Sequence, residues 1–315
     1  MKIVLTDAQT VFDDLVTPAP LRELGEVEEY GLLRYEEVAE KLIGADAAVV
    51  NKTLMDAHTL RYAKNLKYIG LFATGYNNID IEYCRAHGIT VCNAGVYSTN
   101  AVAQHTFALI LESFNNTARY DRYVQDGLWK RSPTFSPFVY PLNALCGNTL
   151  GIVGLGAIGQ AVAKIGNAFG MRVIAFNRRP KKVEGVESVG FEELLRQSDV
   201  VTVHCPLNDD SKEMFNRRTF AKMKPTALFV NTARGGVVAE RDLYDALQNG
   251  VIGMAALDVL NVEPMEENCV LMGARNCLIT PHIAWAPVET RQRLMGIVVD
   301  NIRNFRAGHP TNVVS

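Results

Sequence analysis

The sequence TLGIVGLGAIGQ at residues 149–160 decides the fold of this chain. A short apolar run leads into Gly154, Gly156 and Gly159, which form a G-x-G-x-x-G pattern and open a segment of helical period, QAVAKIGNAFG. In a strand–turn–helix unit, the first glycine permits the tight turn, the second lets the backbone approach a pyrophosphate, and the third lets helix and strand pack closely. The free N–H groups at the start of the helix then face the phosphates. In this context the pattern predicts dinucleotide binding rather than a merely structural glycine-rich turn.

Further strand-like segments follow this first strand, and a helix-like segment separates each one from the next. They read MRVIAF at 171–176, DVVTVHCPL at 199–207, TALFVNTA at 226–233, GMAALDVL at 253–260 and CLITPHI at 277–283. Parallel strands with interleaved helices form a doubly wound sheet, which binds dinucleotides at the carboxyl ends of its strands. The second half of the chain is therefore expected to be a doubly wound α/β domain.

The first hundred residues also alternate between short apolar runs and segments of helical period, which favours a second parallel sheet. The apolar runs are KIVLTD, ADAAVVNKT, LKYIGLFAT and ITVCNA, whereas RELGEVEEY at 22–30 and RYEEVAEKLIG at 34–44 are charged and helical in period. A long helical pattern at 98–116 predicts a connector between the halves. Residues 126–148 are rich in proline and aromatic side chains, have no period, and predict a loop.

Composition and charge exclude several classes of protein. The chain has 315 residues, 48% hydrophobic and 21% charged, and a formal net charge of -2, which is typical of a globular protein of about two domains. A nucleic-acid or anionic-membrane binder needs a concentrated basic surface, so neither is expected. No stretch approaches the roughly 18 apolar residues of a spanning helix, and no signal peptide is indicated. The six cysteines have neither C-x-x-C nor zinc-finger spacing, so no metal site is expected. Scattered thiols in a chain of this length are typical of a protein in the reducing cytoplasm.

The second strand of the doubly wound half ends in Asn177, Arg178 and Arg179, about 20 residues beyond the glycines. An NAD-binding fold usually presents a carboxylate here to the ribose hydroxyls. Asparagine followed by two guanidinium groups suits a 2′-phosphate, which a carboxylate would repel. The segment predicts a preference for NADP(H), with NAD as a second cofactor; two solvated arginines at a strand end are the alternative interpretation.

Three polar residues follow strands of the second half, namely Arg234, Glu263 and His282. Because strand ends on one side of a doubly wound sheet share a crevice, these side chains are expected to meet. Together with the glycine pattern, several stretches in the same order resemble the D-isomer-specific 2-hydroxyacid dehydrogenase family over essentially the whole chain. These stretches are ATGYNNID at 73–80, VNTARGG at 230–236, Asp258-Val259 with Glu263-Pro264, and TPHI at 280–283.

Within that family, Trp285 and the YPL stretch at 140–142 look most like the glycerate dehydrogenase, or hydroxypyruvate reductase, branch. The resemblance implies two alternating β/α domains with parallel sheets. The larger is a Rossmann dinucleotide-binding domain at 100–288, inserted in a flavodoxin-like substrate-binding domain at 1–99 and 289–315. It also implies a homodimer in which the connector helix and the aromatic loop from Trp129 to Tyr140 reach across to the partner; a loop packed on its own subunit is the alternative interpretation.

The resemblance also implies a catalytic trio, and the chemistry of a 2-oxo acid agrees with it. Arg234 has forked donors that suit a carboxylate and polarise the ketone. His282 is a suitable general acid for reduction and base for oxidation, and Glu263 would orient it and favour the imidazolium. One departure lies in the connecting helix, where many family members have Glu and this chain has Gln104, which keeps the hydrogen-bonding shape but loses the charge.

Binding roles follow from the same resemblance. The substrate carboxylate is expected at the N–H groups of Thr74 and Gly75 together with Arg234 and His282. The expected cofactor contacts are Gly154, Leu155, Gly156, Ala157, Ile158, Gly159, Asn177, Arg178, Arg179, Cys205, Pro206, Thr232, Ala233, Arg234, Asp258, His282 and Ala284.

The expected activity is NAD(P)H-dependent reduction of a small 2-oxo acid, such as hydroxypyruvate or glyoxylate, to the D-2-hydroxy acid, and the reverse. Two alternatives stay open. One is a reductase of a bulkier 2-oxo acid such as phenylpyruvate, because the sequence does not place the side chains that set substrate size. The other is a dinucleotide-sensing binding protein, although the trio favours an enzyme.

Overall fold

The computed structural model describes residues 1–179 and 181–315, and the chain forms two compact units. The first unit comprises Met1–Ser98 and Ala286–Ser315, and the second comprises Thr99–Trp285. The chain therefore leaves the first unit, builds the whole second unit, and then returns to complete the first.

The first unit is built on a parallel sheet. Up to residue 98 it contains β1 (Lys2–Leu5), α1 (Ala19–Arg22), β2 (Glu26–Glu29), α2 (Tyr35–Lys41), β3 (Ala47–Val50), α3 (Ala57–Leu60), β4 (Tyr68–Leu71), α4 (Ile81–Ala86) and β5 (Thr90–Cys92). The strands pair in the order β2-β1-β3-β4-β5, and each of these pairs is parallel. This is the flavodoxin-like order, whose switch point lies between β1 and β3.

The second unit carries a larger parallel sheet. Its elements are α5 (Thr99–Asn115), α6 (Thr117–Gln125), β6 (Thr149–Val153), α7 (Ala157–Ala168), β7 (Arg172–Phe176), β8 (Glu187–Ser188), α8 (Phe191–Gln197), β9 (Val200–Val203), α9 (Arg217–Phe220), β10 (Leu228–Asn231), α10 (Glu240–Gln248), β11 (Met254–Leu257) and β12 (Cys277–Ile279); the chain then returns to the first unit as α11 (Val288–Arg306). The strand order is β12-β11-β10-β9-β6-β7-β8, and the switch point lies between β6 and β9. The predicted pair of α/β domains with parallel sheets is confirmed.

Both faces of the larger sheet are covered, as a parallel sheet requires. Alternate residues of β10 enter different cores: Phe229 packs with Phe215 and Phe220 on one face, whereas Leu228 and Val230 belong to the core on the other. The aromatic ring centroids of Phe229 and Phe215 lie 4.7 Å apart. Because both faces are apolar, polar chemistry is confined to the ends of the strands.

Helix α11 completes the core of the first unit. Leu294, Val298 and Ile302 recur every four residues and are buried, which gives the helix one apolar face. Asn301 adds a polar anchor, because its Nδ2 donates to the carbonyl of Asn93 at 2.9 Å. The last helix of the described chain thus belongs with the first sheet.

One local prediction is wrong, and two elements were not predicted. Residues 22–30 were expected to be helical, but they contain β2, an edge strand whose glutamates are at least partly exposed, so that their charge hides the strand pattern. Strand β8 was not predicted, because it has only two residues and both are exposed. The region after the connector contains a second helix, α6, which begins after Asn116 takes a left-handed backbone angle (φ 49°).

Among the described residues, no helix combines the length and the apolar character needed to cross a membrane.

Candidate active site

The glycine turn joins β6 to α7 and presents bare backbone. Gly154 has φ +100°, and a Cβ there would lie 2.7 Å from the Cys205 nitrogen, so a side chain would strain the turn and collide with the chain after β9. Gly156 precedes α7, where no side chain caps the helix, and a Cβ on this glycine would meet no atom within 4 Å. The first N–H groups of α7 therefore open onto a space that accommodates a phosphate.

The end of β7 is held against this turn by Asn177. Its Oδ1 accepts the N–H of Leu155 at 3.1 Å, and its Nδ2 donates to the carbonyl of Arg179 at 2.6 Å. Arg178 forms an ion pair with Asp210, and each of these two side chains is 70% exposed. Asn177 thus orders the β7 end, and the guanidinium of Arg178 stays at the surface of the same region.

His282 and Glu263 are in direct contact. His282 Nδ1 lies 2.6 Å from Glu263 Oε2, while Glu263 Oε1 accepts the N–H of Leu260 at 3.0 Å. Because Nδ1 is engaged by the carboxylate, Nε2 is the ring atom that remains to exchange a proton with another molecule. His282 also has φ +54°, a left-handed angle that costs about 1–3 kcal/mol in a residue with a side chain and that neighbouring contacts must enforce.

Arg234 lies in the loop after β10, and Asn231 shapes that loop. The Oδ1 of Asn231 accepts the N–H of Ala233 at 3.0 Å, and its Nδ2 donates to the carbonyl of Arg234 at 2.9 Å. A Cβ on Gly235 would lie 2.0 Å from the carbonyl of Leu260, so the loops of Arg234 and Glu263 pass each other backbone to backbone. The structure therefore brings the Arg234 loop to the His282–Glu263 pair.

Asp258 follows β11 and supports the segment around His282. Its carboxylate is buried and accepts the N–H groups of Ile283 and Ala284, each at 2.9 Å, and the Thr280 hydroxyl at 2.6 Å. Burial works against ionisation, but these hydrogen bonds and one from His105 prevail and lower the pKa of Asp258 below its ordinary value. The carboxylate is thus a charged anchor inside the unit, with its oxygens engaged by the chain.

Further positions predicted for the cofactor follow β9 and β10, at the carboxyl ends of these strands. Thr232 is buried after β10, with its hydroxyl 3.1 Å from that of Thr106 in α5. Cys205 and Pro206 follow β9, next to His204, whose Nε2 lies 2.9 Å from the Thr202 hydroxyl. Burial lowers the pKa of His204 to about 3, so this ring is neutral at physiological pH.

The predicted substrate positions of the first unit follow β4. Asn93 Nδ2 donates to the Thr74 carbonyl at 2.7 Å, and the Thr74 hydroxyl donates to the carbonyl of Gly95. Within residues 1–179 and 181–315, the N–H groups of Thr74 and Gly75 have no hydrogen-bond acceptor. They are therefore available to an anion.

Sequence reasoning missed Asn231 and Asp7. Asp7 follows β1, is buried, and accepts the N–H groups of Asn51, Lys52 and Thr53 at 2.6 to 3.1 Å, which fixes the turn after β3. Their signal was a polar residue directly at the end of an apolar strand, but nothing in the sequence shows which backbone groups such a residue binds.

The family model described as D-isomer specific 2-hydroxyacid dehydrogenase, NAD binding domain, matches residues 107–284, more than half of the chain. The chain belongs to the D-2-hydroxyacid dehydrogenase family. Family membership makes it an NAD(P)-dependent oxidoreductase, and the resemblance seen in the sequence is confirmed.

Similar proteins of this dehydrogenase family match nearly end to end. A hydroxypyruvate reductase of Blautia hydrogenotrophica is 39% identical over 100% of both chains. A glycerate dehydrogenase of Methylorubrum extorquens is 42% identical over 89% of this chain and 88% of its own. The solved NADPH-dependent glyoxylate/hydroxypyruvate reductase of Sinorhizobium meliloti, in complex with NADP and malonate, is 27% identical, has a TM-score of 0.86, and aligns over 100% of this chain and 96% of its own.

The glycine turn of this dehydrogenase allows a test of cofactor binding. In Gly156→Ala, the ordinary backbone angle (φ -72°) and the open surroundings should leave the fold intact, while the methyl group intrudes where the pyrophosphate approaches. We expect the Kd for NADPH, measured by fluorescence titration, to rise roughly tenfold or more through weakened phosphate contacts. Gly296→Ala in α11, which is equally open, is the matched control and should leave the Kd unchanged. An unaltered Kd in the Gly156 variant would show that the turn does not hold the pyrophosphate.

Proposed function

We propose that the protein reduces a small 2-oxo acid, hydroxypyruvate or glyoxylate, to the D-2-hydroxy acid and catalyses the reverse reaction. The observation that carries this proposal is the 2.6 Å contact between His282 Nδ1 and Glu263 Oε2, beside the loop of Arg234. This arrangement suits proton transfer next to a bound carboxylate. The names of the relatives from Blautia, Methylorubrum and Sinorhizobium support the choice of substrate.

The proposed mechanism assigns one task to each group. When bound, the nicotinamide cofactor supplies or accepts the hydride. Arg234 binds the substrate carboxylate and polarises the ketone through its forked N–H donors. His282 gives the proton on Nε2 to the ketone oxygen during reduction and takes it back during oxidation, while Glu263 orients the ring and stabilises the imidazolium. As the family resemblance implies, the N–H groups of Thr74 and Gly75 are proposed as an anion-binding position of the first unit.

We further propose that the second unit holds the dinucleotide and the first unit binds substrate. The pyrophosphate would lie at the bare turn and the uncapped start of α7, which fit it because a Cβ on Gly156 would meet nothing within 4 Å. The proposed contacts at the turn and the strand ends are Gly154, Leu155, Gly156, Ala157, Ile158, Gly159, Asn177, Arg178, Arg179, Cys205, Pro206, Thr232, Ala233, Arg234, Asp258, His282 and Ala284.

A substrate panel tests the proposed reaction. Steady-state rates with hydroxypyruvate, glyoxylate, pyruvate and phenylpyruvate, each with NADPH and NADH, should give the highest kcat/KM for hydroxypyruvate or glyoxylate. A higher value for phenylpyruvate would support the bulkier substrate class. Tight NADPH binding without turnover of any of the four acids would support a dinucleotide-sensing protein.

Variants of the proposed acid and its partner test the mechanism. His282→Ala should lower kcat by roughly 10²-fold or more, because a positioned general acid is lost, while NADPH binding persists. Glu263→Gln keeps the size of the side chain but replaces the carboxylate that holds His282 Nδ1 by an amide, so kcat should fall while NADPH binding persists. Wild-type turnover in His282→Ala would contradict the assignment.

We propose a preference for NADP(H) over NAD(H). No carboxylate side chain stands at the β7 end in positions 177–179, where Asn177, Arg178 and Arg179 follow one another. Both arginines lie at the surface of the region that the ordered Asn177 ties to the glycine turn. Two guanidinium groups there can bind a 2′-phosphate with charge-assisted hydrogen bonds. The NADP complex of the Sinorhizobium relative is consistent with this preference.

The preference is tested by comparing kcat/KM for NADPH and NADH. The wild type should favour NADPH, and replacing both arginines by alanine should lower its kcat/KM roughly 10- to 100-fold through lost phosphate contacts, with a smaller effect on NADH. Arg196→Ala on α8, an exposed arginine paired with Glu192, is the control and should change neither value. Equal values for both cofactors in the wild type, or a larger one for NADH, would refute the preference.

We propose that the protein is a cytoplasmic homodimer. Its six cysteines are all free, which suits a reducing compartment. Between α6 and the loop that follows it, a groove of about 260 Å³ is lined largely by aromatic side chains, and Phe135 and Phe138 are 88% and 84% exposed. Such an apolar surface is typical of a contact between proteins, and the family resemblance points to a second copy of this chain as the occupant.

The dimer is tested by light scattering after gel filtration. The wild type should have the mass of two chains at micromolar concentration, and the double variant Phe135→Ser, Phe138→Ser should have the mass of one, because the apolar contact is lost. Met272→Ser changes a side chain that is 67% exposed outside this groove and should remain a dimer. A monomeric wild type would exclude the proposal.

A further inference from the structure

Helix α5 places a histidine against the anchor of the His282 segment. His105 is 18% exposed at its side chain, and its Nε2 lies 3.0 Å from the Thr280 hydroxyl and 3.3 Å from Asp258 Oδ1. It takes no part in the reaction proposed above, and its contacts are with groups 175 and more than 150 residues away along the chain. The position of this ring therefore needs its own explanation.

The hydrogen positions in this network follow from counting donors. The Thr280 hydroxyl lies 2.6 Å from Asp258 Oδ1, and an ionised carboxylate can only accept, so the single hydroxyl hydrogen points to Asp258. The lowered pKa of Asp258 is consistent with this ionised state. Thr280 can then only accept from the ring, and Nε2 of His105 must carry a hydrogen. His105 is therefore a donor toward both Thr280 and Asp258.

The network fixes the backbone at His282 and at the two residues after it. Asp258 accepts the N–H of Ile283 and of Ala284 through its carboxylate and that of His282 through its carbonyl, at 2.8 to 2.9 Å. Residues in the left-handed region, such as His282 at φ +54°, hold that angle only where neighbouring contacts enforce it. The direction in which His282 Nε2 points thus depends on how firmly Asp258 is held.

We propose that His105 is a positioning residue of the dehydrogenase: its Nε2–H holds Thr280 and Asp258, and through them the backbone that aims His282. The inference rests on the proposed role of His282. His105 touches neither substrate nor reacting atoms in this scheme, so its loss should impair proton transfer rather than substrate binding. The loss of a side chain that only fills space would not affect proton transfer more than substrate binding.

Two substitutions separate the hydrogen bond from the volume. His105→Leu keeps the bulk but removes the donor, and we expect kcat for hydroxypyruvate reduction to fall roughly tenfold or more, with KM for hydroxypyruvate within about twofold of wild type. His105→Gln places an amide N–H near the position of Nε2 and should recover most of the lost kcat. His309→Leu, an exposed histidine in the first unit, is the control and should match the wild type.

A double-variant cycle tests the route through Thr280. Thr280→Val should lower kcat by itself, and adding His105→Leu should cost little more, because both act on the same anchor. Additive losses would overturn the proposed route. An unchanged kcat in His105→Leu would overturn the positioning role. So would a melting temperature that falls together with kcat in His105→Leu and stays low in His105→Gln.

A second readout does not depend on turnover. Hydrogen–deuterium exchange of the Ile283 and Ala284 amides should be faster in His105→Leu than in wild type and near wild type in His105→Gln, because these N–H groups bind the Asp258 carboxylate. Unchanged exchange would overturn the inference about His105. Inactive wild-type enzyme, or full activity in His282→Ala, would instead overturn the proposed function, so the two failures are distinguishable.

Discussion

The rest of the active-site architecture depends on one buried carboxylate. An ionised side chain away from water is tolerated only when hydrogen bonds replace the lost hydration. Asp258 is 1% exposed and meets this demand with donors from α5, from Thr280 and from the main chain after His282. Satisfying the charge therefore requires α5, the end of β11 and residues 280–284 to meet, and they meet beside the histidine proposed to move the proton.

Parallel strands place the other groups at the same edge of the sheet. Because both faces of the larger sheet are packed, loops can diverge only at the strand ends, where functional residues collect. The loops themselves approach so closely that side chains are excluded at Gly154 and Gly235. Because these two positions have no side chain, the glycine turn can meet the β9 loop, and the Arg234 loop can meet the Glu263 loop.

The sequence predicts the parts of this protein that depend on local pattern. The glycine turn, the apolar strands and the polar residues after them are all visible within short windows, and the sheets follow from their alternation. Strands β2 and β8 were missed because their exposed residues carry little apolar signal. His105 had no motif around it, since its partners in the network lie far away along the chain. Asn231 and Asp7 are of the same kind: their residue types were readable, but the backbone groups they bind were not.

The return of the chain to its first unit has a consequence for how the protein is made. Tyr68 in β4 is buried against Phe305, with ring centroids 4.9 Å apart, and the N–H of Val314 donates to the carbonyl of Val91. Translation delivers these partners only after the whole second unit has been synthesised. The unit that is begun first is therefore completed last. Until α11 has been synthesised, the apolar face of β4 that Phe305 covers stays exposed on the ribosome.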